Sequence, residues 1–187
     1  QGIAARGGIG AEKAVGGKQH HAGFVTVFYF FFRSFRAGIL LHFPALFAED
    51  AEFGSVDGVM RASGRTAIVD FYRGRFAILG PTFHYTHDHL LEFSADDANI
   101  ATGVVTAHSE AAREGVPMLA AIRYLDRYRR VPAGWQFAER KLAFFYYLSA
   151  TDYPIAFRDA RRMRGHGTPQ PADWPEGLAS WQHYYAG

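Results

Sequence analysis

Four long β-type segments, separated by short polar turns, occupy the second half of this sequence. Each gap between them contains Asp, Gly or Pro, which are the residues that favour turns. Long strands joined by such short connections pair with their neighbours in the sequence. The pattern therefore predicts an antiparallel meander with strands at 82–93, 100–108, 118–130 and 135–148.

The first half of the sequence contains helical patterns instead. Apolar residues recur at helical spacing over 40–47, and an apolar face runs along 65–79 until a Gly-Pro pair at 80–81 ends the helix. An Asp-Gly pair at 57–58 is typical of a hairpin turn between two extended segments. Helices followed by a meander predict an α+β fold, in which two or three helices cover one face of a curved sheet.

Length and composition favour a single ordered domain. The chain has 187 residues, of which 49% are hydrophobic and 20% are charged, and this composition excludes a disordered or fibrous protein. The Gly- and Ala-rich stretch 1–23 has no apolar period and is predicted to be a flexible lead-in. We place the folded domain at 24–150 and a C-terminal extension, packed on the domain surface, at 151–187.

Composition also disfavours several classes of function. The chain has no cysteine, which excludes disulfides, thiolate metal sites and cysteine nucleophiles. Its formal charge is only +2, and acidic residues dilute both of its arginine clusters, so we expect no nucleic-acid partner. The longest apolar run, 24–32, is shorter than the roughly 20 residues that cross a bilayer. We therefore expect a cytoplasmic chain with no membrane partner.

Six short motifs follow one another between residues 40 and 147. They are LFAEDAEF (46–53), SGRTAIVDFYRGRF (63–76), the strand that contains His84, ATGVVTAH (101–108), IRYLDRYRR (122–130) and GWQFAERKLAFF (134–145). In this order they resemble the SnoaL-like family of the nuclear-transport-factor-2-like superfamily. The resemblance implies a cone-shaped α+β barrel, in which helices pack on a strongly bent antiparallel sheet around a deep apolar pocket. It also implies a homodimer or homotrimer.

Two histidines are candidates for the chemistry that the resemblance implies. His84 opens the first strand of the meander, where the dehydratases of this family carry their catalytic histidine. An imidazole in an apolar cavity suits proton transfer near neutral pH. His108 ends the next strand, where these enzymes place a second His or an Asp that assists the first. Glu110 is the competing candidate for that assisting role.

Tyr124 is the third catalytic candidate. It aligns with a polar pocket residue of the family, and a phenol at that position would stabilise a developing enolate by donating a hydrogen bond. Alternation along the strand places Tyr124 and Asp126 on one face. We expect Asp126 to orient Arg123 or Arg140, which is a structural role.

The family resemblance predicts a cofactor-independent lyase or isomerase, either dehydratase-like or cyclase-like. Its substrate would be a small apolar ring compound, held in a hydrophobic pocket while a histidine transfers a proton. The apolar wall is expected to include Phe53, Phe71, Ile122, Phe144 and Tyr146. The alternative is a non-catalytic ligand-binding or assembly domain, similar to the small subunit of a ring-hydroxylating oxygenase.

One departure from the dehydratase pattern favours that alternative. Dehydratases of this family carry a Tyr, acidic residues and a Trp on their first helix, whereas the equivalent stretch 33–44 has Phe, Arg and Leu. Only Tyr29 could supply the phenol, in a shifted register.

A metal site is the remaining hypothesis for the histidines. By simple alternation His87 and His89 share a strand face and could bind zinc with His108 as a third ligand. The segment offers no clear set of carboxylate and imidazole ligands, so we expect neither a metal ion nor an organic cofactor.

Overall fold

The structure is a computed structural model that describes residues 43–186. The predicted lead-in at 1–23, the apolar run at 24–32, Tyr29 and most of the stretch 33–44 lie outside the described residues. The elements that it describes are a 3₁₀ turn (Pro44–Leu46), strands β1 (Phe47–Ser55) and β2 (Arg61–Ser63), helix α1 (Arg65–Ile78), strands β3 (Leu79–Phe93), β4 (Ile100–Arg113), β5 (Val116–Val131) and β6 (Gly134–Ser149), and helices α2 (Tyr153–Ala156) and α3 (Ala179–Ala186).

The described strands form one six-stranded sheet in the order β2-β1-β6-β5-β4-β3. Strands β3 to β6 make the predicted antiparallel meander. The sheet is nevertheless mixed, because β1 pairs with β6 in parallel. The long intervening chain allows this pairing, which no short hairpin could make. The α+β class is therefore confirmed, whereas the expected purely antiparallel, strongly bent sheet is not: the edge strands β2 and β3 do not pair, and the sheet is not strongly curled.

Helix α1 covers one face of this sheet, which we call the inner face. Its Ile68 and Val69 are buried, as the predicted apolar face requires. Its rings also pack on β1, since the ring centroids of Phe71 and Tyr72 lie 5.1 Å and 5.2 Å from that of Phe53. Aromatic pairs at such distances add stability beyond the area that they bury. The helix is thereby held against the part of the inner face that β1 forms.

Three predicted boundaries are corrected. The second strand of the meander does not end at His108 but runs on to Arg113. The helical pattern expected over 40–47 gives way to the short 3₁₀ turn, and Phe47 already begins β1. Helix α1 ends at Ile78, and Pro81 lies inside β3 rather than before it. A proline is tolerated there because β3 is an edge strand and its pairing with β4 is irregular between Leu79 and Thr82.

Two of the β-bulges in the sheet decide the direction of predicted site residues. One lies in β3 between Thr86 and His89, and the other lies in β6 between Phe144 and Tyr146. An extra residue in one strand of a pair reverses the alternation of its side chains beyond that point. Alternation on one side of a bulge therefore does not predict which way the side chains on the other side point.

The C-terminal segment 151–186 packs back against the sheet. Met163 forms a parallel bridge with Tyr147 at the end of β6. The indole Nε1 of Trp174 donates a hydrogen bond to a carbonyl oxygen of β6. Arg162 fastens the segment to itself through two hydrogen bonds to Glu176, of 2.8 Å and 2.7 Å. The segment thus packs at the end of β6, where the rings of Tyr153 and Trp174 lie beside those of Tyr146 and Phe145.

Candidate functional site

A cavity of about 110 Å³ lies between α1 and the inner face of the sheet. This volume is comparable to the roughly 150 Å³ of an apolar cavity that takes up benzene. Most of its lining is apolar and aromatic, namely Phe53, Met60, Phe71, Phe76, Leu79, Ala111, Ala120, Ile122, Leu142 and Phe144. The cavity is therefore suited to a small apolar ring.

Four of the five residues expected in the apolar wall line this cavity: Phe53, Phe71, Ile122 and Phe144. Tyr146 does not line it. The bulge in β6 turns its side chain to the outer face, where its ring packs 5.4 Å from that of Tyr153. Placing Tyr146 in the wall by alternation from Phe144 is therefore wrong.

His84 is one of the polar groups in the cavity. It lies on β3 before the bulge and pairs in register with Ser109 of β4, which lines the same cavity. Burial lowers the pKa of its imidazole from 6.5 to about 4, because charging the ring would cost hydration that the cavity does not replace. His84 is therefore neutral over the whole physiological range and can accept a proton.

Tyr124 and Tyr72 add phenols to the same cavity. Burial raises the pKa of Tyr124 to about 12, and the nearby Arg140 offsets part of that rise. Burial likewise raises the pKa of Tyr72. Both phenols therefore stay protonated near neutral pH, and a protonated phenol can donate a hydrogen bond to a carbonyl oxygen.

A buried ion pair supports Tyr124 from behind. The carboxylate of Asp126 accepts hydrogen bonds from Nε and Nη2 of Arg140, at 2.8 Å and 2.7 Å, and from the Tyr128 hydroxyl at 2.8 Å. The Arg140 guanidinium in turn lies 4.4 Å from the centroid of the Tyr124 ring. Arg140 is thus the partner of Asp126, whereas Arg123 lies on the outer face. The pair fixes the position of the Tyr124 ring.

His108 is not brought together with His84. Its neighbour in β4, Ser109, lines the cavity, so alternation turns His108 to the outer face. There its Nδ1 lies 2.6 Å from Nε2 of His87. Glu110, the competing candidate, does not line the cavity either. The geometry therefore offers no proton relay from His108 to His84.

The three imidazoles considered for zinc do not converge. His87 and His108 touch on the outer face, but the bulge in β3 turns His89 to the inner face, where its Nε2 lies 3.4 Å from the Tyr128 hydroxyl. Within residues 43–186, no group of three or more His, Cys, Asp or Glu side chains could hold a metal ion.

The profile of the SnoaL-like domain matches residues 40–141, more than half of the 187 residues. The chain belongs to the SnoaL-like family. A comparison with curated proteins finds no significant match. In the part of this SnoaL-like chain that the structure describes, no helix is long and apolar enough to span a bilayer.

Solved structures with the same fold include enzymes of several kinds. LinA type 2, a hexachlorocyclohexane dehydrochlorinase, has 17% identity and a TM-score of 0.63, over 71% of this chain and 89% of its own. A candidate scytalone dehydratase from Novosphingobium aromaticivorans has 17% identity and a TM-score of 0.62, over 70% of this chain and 87% of its own. A candidate aromatic ring hydroxylase from the same organism has 16% identity and a TM-score of 0.63, over 72% of this chain and 96% of its own. Identities this low show the fold alone.

Sequence reasoning missed two basic side chains that line the cavity, Arg75 and His166. Arg75 follows Phe71 and Tyr72 by about one helical turn, and this spacing could have placed it on the same side of α1. His166 carries no such signal, because it lies far along the chain. Contacts between the C-terminal segment and the sheet, among them the bridge between Met163 and Tyr147, bring it to the cavity.

Proposed function

We propose that this SnoaL-like protein is a cofactor-independent lyase or isomerase that acts on a small apolar ring compound. The observation that carries the proposal is a neutral imidazole, His84, held in a cavity that is otherwise mostly apolar and aromatic. The phenol of Tyr124 lines the same cavity. A base and a hydrogen-bond donor around a ring-sized cavity suit proton abstraction next to a carbonyl group.

In the proposed reaction, His84 accepts a proton from the carbon next to a carbonyl. The electron pair of the broken C–H bond moves toward the carbonyl oxygen, and Tyr124 stabilises the resulting enolate by donating a hydrogen bond. The imidazolium then returns the proton. Delivery to a different carbon completes an isomerisation, and delivery to a leaving hydroxyl completes a dehydration. Because its pKa is low, the imidazolium gives up its proton more readily than an ordinary imidazolium would, in either outcome.

Two neighbours in fold support an elimination, although they do not assign one. Both the dehydrochlorinase and the candidate scytalone dehydratase are named for reactions in which a carbon loses a proton and a neighbouring carbon loses a leaving group. Fold similarity alone does not transfer a reaction, so the proposal depends on His84 and Tyr124.

Deuterium exchange tests the proposal without knowledge of the natural substrate. We expect the protein to catalyse incorporation of deuterium next to the carbonyl of small cyclic ketones such as tetralone and cyclohexenone in D₂O, followed by mass spectrometry. General bases typically contribute about 10²–10⁴-fold to such steps. Replacing His84 by Gln should therefore reduce the exchange rate at least about a hundredfold.

The matched control is the same substitution at His87. Its imidazole lies on the outer face and lines no part of the cavity. His87→Gln should leave the exchange rate unchanged. Equal exchange by the wild type and His84→Gln would show that His84 is not the base, and no exchange by the wild type with any ketone of the panel would argue against proton abstraction altogether.

An assembly role is the second candidate, and a different observation favours it. Apolar side chains stand exposed on the outer face of β3, where Phe83 is 53%, Tyr85 50% and Leu90 74% exposed. Exposed apolar clusters commonly mark sites of association. A homodimer or homotrimer, or a larger subunit, would cover them. Wild-type protein that binds ring compounds without exchanging their protons would favour this candidate.

A further inference from the structure

The cavity reaches the surface between α1 and the C-terminal segment. Arg75, from the last turns of α1, is half-buried there, and His166, from the C-terminal segment, is exposed. Both side chains line the same cavity as His84. We call these two residues the basic rim.

Arg75 differs from the other arginines of α1. Arg65 donates a hydrogen bond to the carbonyl oxygen of Phe47, and Arg73 pairs with Asp70 at 2.6 Å. Arg75 has neither a hydrogen bond nor an ion pair with any residue from 43 to 186. No Asp or Glu from this range lines the cavity. Its guanidinium is therefore available to a ligand.

His166 is held at the rim by its neighbours. Arg113 donates a hydrogen bond of 2.7 Å to the carbonyl oxygen of Gly165 and one of 3.4 Å to the Tyr147 hydroxyl. The Tyr147 ring lies 5.4 Å from the imidazole of His166. The histidine therefore does not depend on a ligand for its position.

The electric field at the rim is positive. Partial burial lowers the pKa of His166, and Arg113 and Arg75 lower it further, whereas Asp57 alone acts in the opposite direction. An anion bound beside His166 would therefore act against the effect of these two arginines, in the same direction as Asp57.

Resting on the proposed function, we propose that the basic rim binds a carboxylate carried by the ring substrate. The apolar cavity would hold the ring beside His84 while the planar guanidinium of Arg75 accepts the carboxylate in a two-bonded pair. His166 would add a third donor when it is protonated. The substrate class would then be a small ring carboxylic acid.

Benzoate and benzamide test this proposal, because they have nearly the same shape and differ in charge. We expect benzoate to bind at least about tenfold more tightly than benzamide, as measured by isothermal titration at low salt and pH 7, since charge-assisted hydrogen bonds are about twice as strong as neutral ones. Arg75→Gln should abolish this preference by weakening benzoate binding much more than benzamide binding. Arg75→Lys should retain part of it, because a lysine keeps the charge but not the planar fork.

Arg73→Gln is the matched control, since Arg73 lies on the same helix but pairs with Asp70 and does not line the cavity. It should leave both affinities unchanged. Below pH 6.5 the affinity for benzoate should rise as His166 takes up a proton, and His166→Gln should remove this rise.

Equal affinities for benzoate and benzamide, or a preference that survives Arg75→Gln, would overturn the basic rim as a carboxylate site. Failure of the proposed reaction gives a different result. A protein that does not exchange deuterium into ketones but prefers benzoate through Arg75 would retain the carboxylate site and lose only the proposed chemistry.

Discussion

Replacing Asp126 by Asn tests the buried ion pair that supports the candidate site. Asp126 and Arg140 have fully buried side chains, and the carboxylate accepts two hydrogen bonds from the guanidinium and a third from Tyr128. Burial by itself lowers the pKa of Arg140, but Asp126 more than offsets this and raises the value above that of a free arginine. Asn in place of Asp126 leaves a buried cation without its counterion.

The expected loss in the free energy of unfolding is about 3 kcal/mol. Removing one member of a buried ion pair costs about 3–5 kcal/mol, because the remaining charge stays desolvated. The lower end applies because the amide oxygen of Asn can still accept one hydrogen bond from Arg140. A chain of this size has a total stability of about 5–15 kcal/mol, so the variant should still fold.

Urea denaturation at pH 7 measures this loss, with an unchanged m-value as evidence that the unfolding reaction is the same. The matched control is Asp70→Asn, which breaks the exposed pair with Arg73 and should cost at most about 1 kcal/mol. A double variant, Asp126→Leu with Arg140→Met, removes both charges. It should lose less stability than Asp126→Asn, since an apolar pair of similar volume carries no desolvation cost.

A loss below about 1 kcal/mol for Asp126→Asn would refute this reasoning. It would mean that water reaches the pair or that Arg140 finds another acceptor. A double variant less stable than the single variant would also refute it, because the pair would then be worth more than its desolvation costs.

Two further predictions concern stability. Because the pKa of His84 falls from 6.5 in the unfolded chain to about 4 in the fold, the unfolded state binds a proton first as pH decreases. Protonation of His84 should therefore lower the free energy of unfolding by at most about 3 kcal/mol between pH 6.5 and pH 4. Urea denaturation should show that His84→Gln lacks this contribution. Gly103→Ala should cost about 1–3 kcal/mol, because its Cβ would lie 2.8 Å from a ring carbon of the buried Tyr128. Gly74→Ala, on a helix with nothing within 4 Å, should instead stabilise the protein by about 0.5–1 kcal/mol in thermal unfolding. If His84→Gln loses as much stability on acidification as the wild type, the pH prediction is wrong. If Gly103→Ala and Gly74→Ala change the stability equally, the glycine predictions are wrong.

Local sequence patterns were sufficient to predict an element wherever its apolar residues recur at regular spacing. The apolar face of α1 and the four strands of the meander were predictable because burial of one face imposes a repeat of 3.6 or 2 residues. On β5 the alternation runs from Ile122 to Asp126 without interruption, so the sequence could place Ile122, Tyr124 and Asp126 on one face. The prediction that Asp126 orients an arginine was confirmed for Arg140.

Alternation failed where a strand carries an extra residue. The bulge in β3 separates His87 from His89, and the bulge in β6 turns Tyr146 away from the cavity that Phe144 lines. A bulge is a property of two paired strands, because it appears only when the hydrogen bonds of one are matched to the other. A single strand read by itself does not reveal it.

The sequence by itself determined the α+β class of the fold and the apolar character of the inner wall of the sheet. Only the tertiary structure decided that His108 faces away from His84, that Asp126 selects Arg140 over Arg123, and that Arg75 and His166 meet at one rim. The physical reason is that periodicity records burial along one element, whereas a site is built from elements that are distant in sequence. Their convergence depends on strand register and on packing of the C-terminal segment, neither of which leaves a local pattern.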